Sequence, residues 1–262
     1  MGLLDGQAAV VTGTAQGIGR AIADLLESEG ATVHRVDKDG TDNHGADNHG
    51  TDNHGADNHG ADNHGAHNHG VDLRDSAAVD AFFATLGELH ILVNDAGGVQ
   101  GQTHTPIDEL SDAAWDAVID ANLRTAFNCT RAAARVMKPA HYGRIVNISS
   151  GAGRSVSLTG IQAYASAKAG QIGFTRQTAH ELGPYGITVN SIAPGFVLSN
   201  PTSIAQYESY GEEGQQRLLQ AIATRRLGTP ADIANGVLFF VAEESSWVTG
   251  QVISIDGGHS IF

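Results

Sequence analysis

The chain has 262 residues, enough for one large α/β domain, or two small ones, with a sizeable core. Asp and Glu outnumber Lys and Arg 29 to 15, giving a net charge of −14 with no Lys/Arg cluster, which excludes a protein built to grip phosphate backbones. Cys129 is the only cysteine, so internal disulfides are excluded and a reducing compartment is expected. Met1-Gly2-Leu3-Leu4-Asp5 lacks the basic and apolar regions of a signal peptide, and no apolar run approaches a membrane span. The expectation is a soluble, cytoplasmic protein without nucleic-acid or membrane partners.

Gln7–Thr12 is a short apolar run that predicts a buried strand. Gly13-Thr14-Ala15-Gln16-Gly17-Ile18-Gly19 follows, and then an apolar-periodic helix through Ala21, Ile22, Leu25 and Leu26 that stops at Gly30. Strand, glycine turn and helix make the context of a dinucleotide site: glycines let the backbone approach a pyrophosphate, and the helix N-terminus supplies N–H groups and positive dipole. Thr32–Val36 predicts the second strand, ended by Asp37. A carboxylate there can accept hydrogen bonds from the adenosine ribose and repels a 2′-phosphate, which favours NAD over NADP. Lys38 next to it works in the other direction.

Residues 41–70 are six tandem pentapeptides, from Thr-Asp-Asn-His-Gly to Ala66-His67-Asn68-His69-Gly70. They hold no large apolar residue, so they are expected neither to cover a sheet face nor to build a core. A period of five matches neither a helix face nor strand alternation. The Asp and His side chains could bind a divalent metal, but a low-complexity insertion is the reading adopted, with no metal site.

Ser76 is expected to cap a short helix through Val79, Phe82, Phe83 and Leu86, and Ile91–Val93 predicts a buried strand. Ser111 is expected to cap a long helix over about 112–137, with Asn122 in its middle, where asparagine is unfavourable unless its side chain has a partner. Arg144–Ile148 predicts the fifth strand and delivers Ser149-Ser150. Tyr164-Ala-Ser-Ala-Lys168 sets a tyrosine and a lysine four apart on one helix face, where an ammonium should pull the phenol toward its working range. Ile187–Ala193 predicts the sixth strand, ending in Pro194-Gly195-Phe196-Val197. Residues 198–227 show little periodicity, Pro230 opens a further helix, and Gln251–Ile255 predicts the last strand.

The glycine turn, the serine pair and Tyr164-x-x-x-Lys168 together resemble the classical short-chain dehydrogenase/reductase family, over the whole chain except residues 41–70. The resemblance and the strand–helix alternation imply a single Rossmann-like domain, a doubly wound, mostly parallel α/β sheet flanked by helices. The implied catalytic set is Asn122, Ser150, Tyr164 and Lys168. Ser149 is the alternative serine, because the loop to Tyr164 is one residue longer than usual. The implied cofactor set is Gly13, Gln16, Gly17, Ile18, Gly19, Asp37, Asp72, Leu73, Asn94, Ala96, Gly97, Tyr164, Lys168, Pro194, Gly195, Val197 and Ser199. Asn94-Asp95-Ala96-Gly97 is similar to the family's Asn-Asn-Ala-Gly, and Asp95 departs from it, which puts the polar bracing of the sheet in question. A substrate lid at about 198–227 and a homotetramer are also implied. The expected function is NAD-dependent interconversion of a secondary alcohol and a ketone. The rivals are an NADPH-dependent carbonyl or 3-oxoacyl-thioester reductase, a non-catalytic nucleotide sensor, and a metal-binding His/Asp repeat protein on an inactive fold.

Overall fold

In the computed structural model, residues 2–38, 40 and 67–260 are described. Seven parallel strands form one sheet: β1 (Ala8–Thr12), β2 (Thr32–Asp37), β3 (His67–Gly70), β4 (Ile91–Asn94), β5 (Gly143–Ile148), β6 (Ile187–Pro194) and β7 (Val252–Ile255), in the order β3-β2-β1-β4-β5-β6-β7. Helices α1 (Gly17–Ser28) and α9 (Pro230–Val241) cover one face, where Ile22, Leu26, Val237 and Phe240 pack on Val11, Val93 and Ile192. Helices α2 (Ser76–Ala84), α4 (Thr125–Ala140) and α6 (Gln162–Leu182) cover the other, with Phe83, Met137 and Leu182 against Val10, Leu92 and Ile145. The central strands β1, β4, β5 and β6 are buried throughout, as near-continuous apolar runs with helices on both faces require.

Strand order reverses between β1 and β4, so a crevice opens beyond their carboxyl ends. Buried amides tie the sheet there: Asn94 Nδ2 donates to Asn147 Oδ1 at 2.8 Å and Thr130 Oγ1 at 3.1 Å, and Asn147 Nδ2 donates to Thr175 Oγ1 at 2.9 Å. The bracing therefore does not use Asp95, whose departure from the family pattern leaves it intact.

Four expectations are corrected. Residues 41–70 are not wholly an insertion, because His67–Gly70 is the edge strand β3, pairing His34 with His67 and Asp37 with Gly70. An edge strand needs backbone partners more than apolar side chains, and His69 supplies a ring against Phe82 at 4.7 Å. Residues 41–66, and with them the rest of the repeat, lie outside the described residues. The cap of α2 is Asp75, whose carboxylate accepts from Ala77 N and Ala78 N, rather than Ser76. The long helix is α3 (Asp112–Ile119) and α4 joined by a π-helical turn, Asp120–Arg124, around Asn122. Finally, 198–227 contains two helices, α7 (Pro201–Ser209) and α8 (Gly211–Ala221), linking β6 to α9; in them only Leu218 is buried. Among the described residues, no helix is long and apolar enough to cross a membrane.

At the β2–β3 edge, His34 Nδ1 lies 3.1 Å from His69 Nε2 and the His34 ring stacks on His67. Burial, then the neighbouring imidazoles, hold His34 near 4 and depress His69. The folded-state value lies below the ordinary 6.5, so this cluster's stability is full above about 6.5 and is lost as pH falls toward 4. The melting temperature is expected to fall between pH 7 and pH 5, and His34→Phe, which keeps a stacking ring but cannot take a proton, should flatten that slope. Identical slopes for the two proteins would contradict the assignment.

Candidate active site

The crevice is an open cleft of about 1110 Å³ lined by the glycine turn, the ends of β2, β4, β5 and β6, and the N-terminal part of α6. Gly13 (φ +77°) makes the turn possible, since a Cβ there would stand 2.9 Å from Ala96 N. The Thr12 hydroxyl locks the neighbouring loop, accepting from Asp95 N at 3.1 Å and Ala96 N at 3.0 Å. Gln16 precedes α1 in extended conformation and gives no side-chain cap, and Gly17 and Ile18 at the start of α1 line the cleft. The Thr14 hydroxyl oxygen is buried without a partner beside them. An uncapped helix start beside an orphaned hydroxyl suits a pyrophosphate.

Asp37 ends β2 at the same rim. Its Oδ2 accepts from Ala15 N at 3.0 Å and its Oδ1 from Lys38 N at 2.8 Å, which fixes the carboxylate against the glycine turn. Asp72 lines the rim as well, paired with Arg74 at 2.6 Å, and the guanidinium holds its carboxyl down to about 2. Gln16, Gly17, Ile18, Leu73, Ala96, Gly97, Pro194, Gly195, Val197 and Ser199 also line the cleft. Asn94 does not: its side chain is spent on bracing. Gly19 sits behind the turn, packed on Gly13 and Asp95. Of the other polar residues near the site, Gln100 and Gln102 line the cleft, whereas Arg154 turns to Val252 O and Ser254 Oγ.

The sequence places Tyr164 and Lys168 on one face of α6, and in the fold that face closes the floor of the cleft. Ser150 caps the short helix α5 (Gly151–Arg154), accepting from Ala152 N at 3.1 Å, and lies near enough to the Tyr164 phenol to lower its pKa. Ser149 is buried, and its hydroxyl donates to the Lys168 carbonyl at 2.9 Å. The pair thus divides, with Ser150 at the phenol and Ser149 in the packing beneath it.

Lys168 is 4% exposed, and its Nζ donates to Ile148 O at 2.8 Å, 5.7 Å from the centre of the Tyr164 ring. Burial lowers its pKa and the Asp95 carboxylate opposes that change. The expected drop in the tyrosine pKa is not found in the chain by itself. Burial raises it, Ser150 pulls it down, and the Asp95 charge pushes it up.

Asn122 is fully buried in the π-helical turn. Its amide donates to Gly98 O and Val118 O, each at 2.8 Å, and its Oδ1 accepts from Gly98 N at 3.0 Å. The Asn122 carbonyl accepts from Thr125 Oγ1 at 3.0 Å within the helix and from Gln171 Nε2 at 3.2 Å on α6. One residue therefore ties the β4 loop to the helix carrying Tyr164. Sequence reading missed the roles of Thr12, Gln171 and Thr175; nothing in a lone Thr or Gln signals them. Among the described residues, no group of three or more His, Cys, Asp or Glu is arranged to hold a metal ion.

Comparison with known proteins agrees with this geometry. Residues 13–260 match the family model described as enoyl-(acyl carrier protein) reductase. The chain is 36% identical over 259 residues to the (2S)-[(R)-hydroxy(phenyl)methyl]succinyl-CoA dehydrogenase subunit BbsD of Thauera aromatica, covering 99% of this chain and 98% of that protein. It is 33% identical to the 3-oxoacyl-[acyl-carrier-protein] reductase FabG of Vibrio harveyi, covering 97% and 98%. A solved structure from Agrobacterium tumefaciens, provisionally a 2-deoxy-d-gluconate 3-dehydrogenase and carrying bound NADP, superimposes with a TM-score of 0.82 at 29% identity over 98% of this chain and 97% of that one. Similarity of this extent, on a sheet and cleft of this form, means that the chain belongs to the short-chain dehydrogenase/reductase family and is a nicotinamide-dependent oxidoreductase.

Proposed function

We propose that the chain oxidises a secondary alcohol to a ketone with NAD, and runs the reverse reaction when product accumulates. The observation that carries the reading is the convergence of Ser150, Tyr164 and Lys168 at one end of a cleft whose other end is the glycine turn and Asp37. The bound dinucleotide supplies the hydride acceptor. The chain's residues do the rest. Tyr164 Oη takes the hydroxyl proton as the carbinol hydrogen leaves with its electron pair. The Ser150 hydroxyl donates to the substrate oxygen and stabilises the charge growing there. Lys168 orients the nicotinamide ribose and favours the phenolate once the cleft is filled, and Asn122 keeps the path from Lys168 toward solvent in register. Gln100 and Gln102 give the substrate end a polar wall, suited to a secondary alcohol, cyclic diol or polyol. Residues 198–227 act as its lid, with Thr202, Ser203 and Gln206 facing the cleft. We also infer a cytoplasmic homotetramer, in keeping with the exposed Phe127, Phe239 and Trp247 on helical and loop surfaces.

Tyr164→Phe removes the transferable proton and little volume. Turnover is expected to fall by about 10²-fold or more while NAD affinity changes no more than a few-fold, and retention of more than about a tenth of kcat would exclude Tyr164 as the acid–base.

NAD is preferred here because a 2′-phosphate would face the Asp37 carboxylate, and the nearby Arg74 guanidinium is already paired with Asp72. A second reading, NADPH-dependent reduction of a 3-oxoacyl thioester, is favoured by the relatives named as acyl-carrier-protein reductases and by the neighbour with bound NADP. The kcat/KM ratio for NAD over NADP separates them. It should exceed one and narrow about tenfold in Asp37→Ser, a loss of ~1.4 kcal/mol of discrimination. A wild type that uses NADP better, with 3-oxoacyl thioesters outperforming simple alcohols and ketones, would replace the first reading by the second.

A further inference from the structure

Asp95 has a place that the bracing of the sheet does not explain. Asn94 and Asn147 are register partners on β4 and β5, and Asp95 and Ile148 are the residues that follow them, so both stand at the carboxyl end of the sheet. Ile148 O is the acceptor that holds Lys168 Nζ. Asp95 Oδ2 would stand 2.8 Å from a Cβ at Gly19, and the Gly19 backbone N–H there favours the charged carboxylate. Thr12 Oγ1 fixes its backbone. The carboxylate thus stands at the glycine turn, within the field of the buried ammonium, and both groups line the same cleft.

We propose that Asp95 is a positioning residue for the acid–base pair, the counter-charge that keeps buried Lys168 protonated while anchoring the glycine turn through Gly19. The proposal rests on the reading of Tyr164 and Lys168 given above. The groups facing Asp95 are Lys168 and Tyr164 on α6, the Asp37 carboxylate at the end of β2, the Gly19 N–H at the start of α1 and the Thr12 hydroxyl on β1. A lone ammonium in such a site would shed its proton because burial disfavours the charged form. A neutral family asparagine could bond Gly19 equally well but could not oppose that loss, so the charge is what this chain adds.

Asp95 and Lys168 are both shifted in the chain without cofactor. Burial raises Asp95 above its unfolded value, so its contribution to stability is lost as pH rises through the folded value. Lys168 is depressed, so its contribution is lost as pH falls through its own folded value. Asp95→Asn removes the first effect and extends the second to lower pH. The melting temperature of Asp95→Asn minus that of the wild type should therefore rise from pH 6 to about pH 8 and level off above it, a readout that needs no activity. In turnover, the alkaline limb of kcat/KM should move to lower pH by about one unit, the scale of losing a neighbouring opposite charge. KM for the dinucleotide should stay close to wild type in Asp95→Asn, which keeps an acceptor for Gly19, and rise in Asp95→Ala, which does not. Asp95→Glu should restore part of the alkaline limb. A melting difference that is flat with pH, or superimposable pH profiles for wild type and Asp95→Asn, would overturn the proposal. A wild type inactive on every alcohol and ketone, with the melting difference still rising, would instead overturn the proposed reaction and leave the counter-charge standing.

Discussion

Burial of the Lys168 ammonium is the constraint around which the site is arranged. A charge taken out of water must be compensated by hydrogen bonds or an opposite charge, or it is lost as a proton. The chain answers with the Ile148 carbonyl at the end of β5 and the field of Asp95 at the end of β4. The position of Lys168 is held from below, because Ser149 binds its carbonyl and a Cβ at Gly153 would stand 2.6 Å from its carbonyl carbon. That close approach brings α5 onto α6 and sets Ser150 beside Tyr164.

The remaining polar contacts keep this arrangement in register with the dinucleotide end of the cleft. The Asn94–Asn147–Thr175 chain links β4 and β5 to α6 inside the domain, where each unmade bond would cost about 1–3 kcal/mol. The Asn122 amide links the β4 loop to the π-helical turn, and its carbonyl links that turn to Gln171 on α6. Such π turns recur at functional sites. The part of the cleft at Tyr164 and Lys168 is thereby held in register with the glycine turn, to which Ala15 ties Asp37.

Much of this was legible in the sequence because the signals are local. Buried parallel strands read as apolar runs, Tyr164 and Lys168 fall on one helix face by spacing alone, and the glycines mark the turn before α1. What was not legible depends on partners distant in the chain. Strand β3 is polar and mostly exposed, and its identity comes from pairing with β2 rather than from its own composition. The π-helical turn leaves the apolar pattern of α3 and α4 almost unchanged. Helices α7 and α8 bury too little to show a stripe. The tyrosine shift was misread because spacing predicts the neighbour but not the burial, and in the chain without cofactor burial is the larger effect. Asp95 stood out as a departure from a family pattern, yet only its place in the fold, against Gly19 beyond the end of β4, gives the departure a physical meaning.

The central claim is that the chain moves only a proton, through Tyr164, while hydrogen passes directly between the substrate carbon and the nicotinamide. The most direct measurement uses a secondary alcohol deuterated at the carbinol carbon, with the mass of the recovered reduced dinucleotide determined after turnover in ordinary water. Direct transfer predicts one deuterium in each reduced dinucleotide formed and none released to solvent. Deuterium in the water, with unlabelled reduced dinucleotide, would contradict the account.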